Sequence, residues 1–201
     1  MDENKVVVNI DGKDYSVGKD VNFLKFLELN NIKVPHVCYQ ENLGPIETCD
    51  VCIVEVEGKL TRSCSLKPSD GMKIVTDSRR VREAQIEATD RILKNHDLYC
   101  TICENNNEDC DLHNTVLSLK MDRQKYPFTE KPYKVDATNP FYRYDPNQCI
   151  LCGRCVEACQ DVQVNETLSI DWNRDAPRVI WDNDVPINDS SCVSCGHCVT
   201  V

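Results

Sequence analysis

Over the first eighty residues, apolar positions come in short alternating runs separated by turn signals. Val6, Val7 and Val8 lead into Asp11-Gly12, and a second run over residues 13–17 follows. Asp-Gly between two short runs is a strong hairpin signal, because both turn residues must take positive φ. Phe23, Leu24 and Leu27 then share one face of a helix expected over residues 22–30. Residues 51–57 alternate apolar and polar up to Gly58, and residues 72–76 read as a last short strand. This order predicts a small α+β sheet domain with residues 38–52 as a loop on its surface.

Residues 78–95 contain neither Pro nor Gly. Val81, Ala84, Ala88 and Ile92 recur there at three- and four-residue spacing, as an amphipathic helix requires. Ser78 or Asp77 can cap its start, and its C-terminal end delivers His96 just before Cys100. Residues 126–144 hold Pro127, Pro132 and Pro140 among polar neighbours and predict an extended linker packed against its surroundings. The remainder of the chain has too few apolar positions for a core of its own, so something other than side-chain burial must organise it.

Composition names the candidate. Of 201 residues, 41% are hydrophobic and only 6% aromatic, a thin supply for one large core, while 14 are cysteine. Small domains with thin cores depend on metals or disulfides. The opening Met1-Asp2-Glu3-Asn4-Lys5 has no basic segment followed by an apolar one, and no run approaches a membrane span. A cytosolic protein with reduced thiols is therefore expected, and clustered cysteines in that setting read as metal ligands. The net charge of −10 excludes nucleic acid as a partner and calls for a basic patch on any docking protein.

The cysteines fall into three groups. Cys149-x2-Cys152-x2-Cys155-x3-Cys159 is the bacterial ferredoxin run for a [4Fe–4S] cluster, with Gln160 where that run has proline. Its spacing turns three thiolates into one concavity, and Gly153 suits a place where backbone must approach closely. Zinc also takes paired cysteines but rarely three within seven residues. Cys192-x2-Cys195-x2-Cys198 repeats the pattern, with Gly196 matching Gly153. In two-cluster ferredoxins the fourth cysteine of a run ligates the other cluster. Cys159 is thus expected to join Cys192, Cys195 and Cys198. Cys149, Cys152 and Cys155 are left one ligand short, and the pattern asks for a cysteine at position 202 of a longer parent. His197, between two ligands, reads as a solvent-facing neighbour.

His96-x3-Cys100-x2-Cys103-x6-Cys110 offers one imidazole and three thiolates, a set suited to a histidine-ligated cluster or to zinc. His113 competes with His96, which the helix end favours. Cys38, Cys49, Cys52 and Cys64, spaced x10, x2 and x11, suit a [2Fe–2S] cluster on a loop plus one distal strand residue. His36 packs beside that site. There is no P-loop or dinucleotide-type glycine fingerprint, and no catalytic centre is expected within these residues.

With these sites in this order, the chain resembles the N-terminal series shared by the large subunit of respiratory complex I, iron-only hydrogenases and NAD-linked molybdenum formate dehydrogenases. Within that group it is most similar to the formate dehydrogenase alpha subunits. The resemblance rests on Asn139-Pro140-Phe141 and Cys149-Ile-Leu-Cys-Gly-Arg-Cys155, and on six residues between Cys103 and Cys110 where the other two groups usually have five. It implies a β-grasp, ferredoxin-like [2Fe–2S] domain over residues 1–78 and a small helical domain with a histidine-ligated [4Fe–4S] cluster over 79–119. A linker over 120–137 and a truncated two-[4Fe–4S] ferredoxin-type domain over 138–201 complete the series. One [2Fe–2S] and three [4Fe–4S] clusters are implied, one short of its fourth ligand in this chain. Molybdenum with molybdopterin guanine dinucleotide would sit only in a missing C-terminal catalytic part. Electrons from formate would pass singly through the ferredoxin-type clusters, then the histidine-ligated one and the [2Fe–2S] cluster, to a flavin- and NAD-bearing partner subunit. The same module in a hydrogenase or complex I is one alternative, and a zinc-stabilised interaction module is another.

Overall fold

A computed structural model describes residues 4–103 and 110–201. Its described residues divide into two compact units, one over 4–89 and 110–123, the other over 90–103 and 124–201.

The first unit is built on a five-stranded sheet. Strands β1 (Lys5–Ile10) and β2 (Lys13–Gly18) form the expected antiparallel hairpin, with Asp11 and Gly12 at φ 51° and 84°. Helix α1 (Phe23–Leu29) follows, then β3 (Ile53–Val56), β4 (Lys59–Arg62) and β5 (Lys73–Val75). The sheet order is β2-β1-β5-β3-β4, with β5 parallel to β1 and antiparallel to β3. Asn22 caps α1 by accepting the Lys25 N–H at 3.0 Å, and its amide donates to the Cys64 carbonyl at 2.9 Å. The predicted face of α1 is the buried one. Phe23, Leu24 and Leu27 pack with Val6, Val8, Ile10, Val17, Val54 and Ile74, each such large side chain stabilising by about 1.5–3 kcal/mol.

Helix α2 (Arg79–Leu93) starts at Ser78, whose hydroxyl accepts the Val81 N–H at 3.1 Å. Val81, Ala88 and Ile92 are buried as the spacing predicts, but so are Gln85 and Thr89. Gln85 donates to the Ile53 carbonyl at 2.8 Å and Thr89 to the Gln85 carbonyl at 2.8 Å, so both polar groups are satisfied inside. Helix α3 (Asp111–Ser118), unforeseen from the sequence, completes the described part of this unit.

The second unit has little regular structure. After the irregular residues 124–153 come the single turn α4 (Arg154–Glu157) and a wider turn over Ala158–Val162, then the hairpin β6 (Leu168–Asp171) and β7 (Arg178–Trp181). Its core is Cys159, Leu168, Val179, Trp181 and Ile187, with Cys149, Cys155, Cys192 and Cys198 packed against it. Cysteine side chains thus stand where other small domains place aliphatic ones.

Candidate metal centres

Cys38, Cys49, Cys52 and Cys64 are all buried, so the loop expected on the surface turns its thiols inward. The x11 spacing is the length of a hairpin. Cys52 immediately precedes β3, Cys64 lies two residues beyond β4, and Ser63 ties the ends by donating its N–H and hydroxyl to the Cys52 carbonyl at 3.0 and 2.8 Å. Arg62 holds the other side of the loop through Asp50 at 2.5 Å and Glu47 at 3.1 Å, both residues at positive φ. The thiols pair two by two. A hydrogen bond from the Cys49 thiol holds Cys38 down at about 5, and one from Cys64 holds Cys52 at about 7, while both donors are pushed up. Two thiols per iron is the requirement of a two-iron cluster. His36 engages the Val34 carbonyl and Glu28 instead.

In the second group, His96, Cys100 and Cys103 belong to the second unit, and Cys110 and His113 to the first. Residues 104–109 lie outside the described residues. His96 Nδ1 is 3.0 Å from the Gln148 carbonyl. A carbonyl only accepts, so Nδ1 carries the proton and Nε2 keeps its lone pair, the arrangement that prepares a histidine as a ligand. Burial pushes the His96 pKa down, which also favours the neutral ring. Cys110 starts α3, its sulfur accepting the His113 N–H at 3.5 Å. Buried Lys131 donates to the carbonyls of Asn95 (3.0 Å), Pro146 (2.5 Å) and Cys149 (2.9 Å), fixing the chain beside His96 and at the third cysteine group.

The third group shows its repeat in the backbone. Leu151 and Gly153 have φ 57° and 82°, and Ser194 and Gly196 have φ 53° and 81°. Both loops therefore make the same pair of left-handed turns before a short helical turn, a conformation that points successive N–H groups into one concavity. Nothing lies within 4 Å of a Cβ built on Gly196, so its glycine answers to φ and not to crowding. Cys159, Cys192, Cys195 and Cys198 line one cavity of about 340 Å³, open to solvent included, together with Tyr142, Trp181 and His197. Trp181 Nε1 and His197 Nδ1 are buried there without a protein hydrogen-bond partner. His197 thus turns a ring nitrogen inward, not simply to solvent. Cysteine sulfurs and unpartnered polar atoms in one cavity fit an anionic, sulfide-bearing group. Burial pushes the Cys155 and Cys198 thiols up, the latter to about 11, so iron must displace protons to bind.

Comparison with known proteins follows the same order. A "2Fe-2S iron-sulfur cluster binding domain" matches residues 3–79, an "NADH-ubiquinone oxidoreductase-G iron-sulfur binding region" matches 86–125, and a "4Fe-4S dicluster domain" matches 148–201. A protein of Staphylococcus aureus (strain USA300) named "Putative formate dehydrogenase" is 57% identical over 199 residues, or 99% of this chain. The chain is an iron–sulfur electron-transfer module related to these formate dehydrogenases. A protein of the same name in strain NCTC 8325 matches equally, and the module spans 20% of the length of either relative. Its fold is also that of a chain in the crystal structure of an NAD+-reducing [NiFe]-hydrogenase in the H2-reduced state. The TM-score is 0.80 at 24% identity, over 88% of this chain and 74% of that one. Iron–sulfur binding, not zinc, is the reading these matches support. No helix among the described residues is long and apolar enough to cross a membrane. Tyr142, Tyr144 and Trp181 went unnoticed in the sequence, where the only available signal was aromatic residues flanking a cysteine run.

Proposed function

We propose that this module holds four clusters and relays electrons between a molybdenum site elsewhere in a longer, cytoplasmic, formate-oxidising protein and a flavin- and NAD-bearing partner. The observation that carries this reading is 57% identity over 99% of the chain to relatives five times its length. A β-grasp domain over residues 1–78 would hold a [2Fe–2S] cluster on Cys38, Cys49, Cys52 and Cys64. A domain over 79–119 would hold a [4Fe–4S] cluster on His96, Cys100, Cys103 and Cys110. After a linker over 120–137, residues 138–201 would hold two more. Cys159 with Cys192, Cys195 and Cys198 serves one, and Cys149, Cys152 and Cys155 with a cysteine at position 202 of the longer protein serve the other. When bound, such clusters supply reversible one-electron carriage. The chain's residues bury the thiols of Cys38, Cys49, Cys52, Cys64 and Cys159, fix the ligand spacing through hairpin and left-handed turns, and present hydrogen-bond donors.

Purified without air, the protein should be brown and contain iron and acid-labile sulfide in near-equal amounts, with molybdenum in the full-length form and formate-dependent reduction of NAD. Stoichiometric zinc without sulfide would sink the reading. The complex I-type match over residues 86–125 favours a second reading, the equivalent module of complex I or of an iron-only hydrogenase; full-length protein without molybdenum and without formate-dependent reduction of NAD would select it.

A further inference from the structure

Tyr142 and Tyr144 lie two residues apart on an extended segment, where Tyr144 and Asp136 exchange backbone hydrogen bonds of 2.8 and 2.9 Å. The two-residue period leaves Phe141 and Arg143 exposed and packs both tyrosines against the cysteine-rich core. Tyr142 Oη is 3.0 Å from Cys192 Sγ. Cys192 is the first cysteine of the second repeated motif, the position that Cys149 holds in the first.

The direction of this bond is set by which partner keeps a proton. Asn139 Oδ1 accepts the Phe141 N–H at 2.9 Å, which turns its NH2 group to donate to Ser194 Oγ at 3.1 Å. The Val179 N–H donates to the Tyr144 oxygen at 3.0 Å, and the Tyr144 ring packs on Trp181 at 5.2 Å between centroids. Between Tyr142 and Cys192, the phenol is the partner with a proton to give once iron is bound. An iron-bound thiolate has none to offer.

We propose that Tyr142 sets the potential of one ferredoxin-type cluster, its phenol donating a hydrogen bond to the Cys192 thiolate and so making the cluster held there easier to reduce. Reduction adds negative charge, which a donor at the ligand sulfur stabilises. The phenol keeps its proton, and no bond is made or broken. The proposal rests on the ligand sets given above.

The test is an EPR-monitored redox titration of the full-length, cluster-loaded protein, with iron and sulfide counted for each variant. Tyr142→Phe keeps the ring and removes the donor. It should lower the midpoint of the Cys159/Cys192/Cys195/Cys198 cluster alone, by up to a tenfold change in the reduced-to-oxidised ratio, about 59 mV for one electron. Tyr144→Phe, a phenol of the same segment bonded to the Val179 N–H, should leave that midpoint in place. Full cluster content with an unmoved midpoint in Tyr142→Phe, or with the same shift in Tyr144→Phe, overturns the proposal. Should Tyr142→Phe lose its cluster, 3,5-difluorotyrosine at the same position supplies a stronger donor of nearly the same shape. The midpoint must then rise, and a fixed or lowered one overturns the proposal. Unmutated protein short of the iron for two cubanes overturns the ligand sets and the proposal with them.

Discussion

His96 and His113 compete for one role, and the hydrogen bond behind each ring separates them. The Gln148 carbonyl at 3.0 Å fixes the tautomer and plane of His96, and leaves Nε2 as the nitrogen with a lone pair to give. His113 lies inside α3, where its backbone N–H reaches the Cys110 sulfur at 3.5 Å. Its service to the site is through the helix start, which a substituted side chain preserves. His96→Ala is therefore expected to remove or reshape one [4Fe–4S] signal in the EPR spectrum and to leave the [2Fe–2S] signal intact, because the first four cysteines share no ligand with it. His113→Ala should leave both spectra as they were. The reverse pattern would transfer the ligand role to His113.

Elements carry the repeat that the cysteine spacing announces. The second motif needs a left-handed residue at position 196, and the space around a Cβ there is open. Gly196→Ala should therefore cost about 1–2 kcal/mol of backbone strain with no steric clash. Gly196→Asn should cost less, since Asn tolerates that conformation. Chemical denaturation of the two variants at equal iron content measures the difference, and equal losses would point to crowding instead. Much of this level was legible in the sequence. Asp11-Gly12 gave the first hairpin, Phe23, Leu24 and Leu27 gave the buried face of α1, and Ser78 gave the start of α2. The β6–β7 hairpin was not legible, because four-residue strands offer only two alternations to read. The buried Gln85 and Thr89 interrupt the apolar stripe of α2; Gln85 is explained by the Ile53 carbonyl the fold brings to it, and Thr89 by the carbonyl four residues back in the same helix. The thiol-bonding role of Tyr142 depends on Cys192, fifty residues away, and no local pattern encodes a contact of that range.

At the scale of the whole molecule, the two units draw their stability from different sources. In the first, Cys52 and Cys64 sit in a core that also contains Phe23, Leu24, Leu27, Val8, Ile10, Val54 and Ile74, beneath a sheet of five strands. In the second, Cys159 shares a buried cluster with Leu168, Val179, Trp181 and Ile187, and Cys149, Cys155, Cys192 and Cys198 pack directly against it. Metal binding there is folding energy, because the unfolded chain offers no preformed site. Stripping iron with a chelator under reducing conditions should thus affect the units unequally. Hydrogen exchange should show residues 149–159 and 192–198 losing protection first, followed by the β6–β7 hairpin that rests on Cys159. Strands β1, β3 and β5 should stay protected, with only residues 38–52 loosening around their emptied thiols. Refolding with iron and sulfide should restore the second unit's protection in step with cluster absorbance. Equal loss of protection in β1 and β7 would mean that the sheet core is not self-sufficient. Full retention in both would mean that side-chain packing alone organises the cysteine-rich unit, and its thin apolar core would then need another explanation.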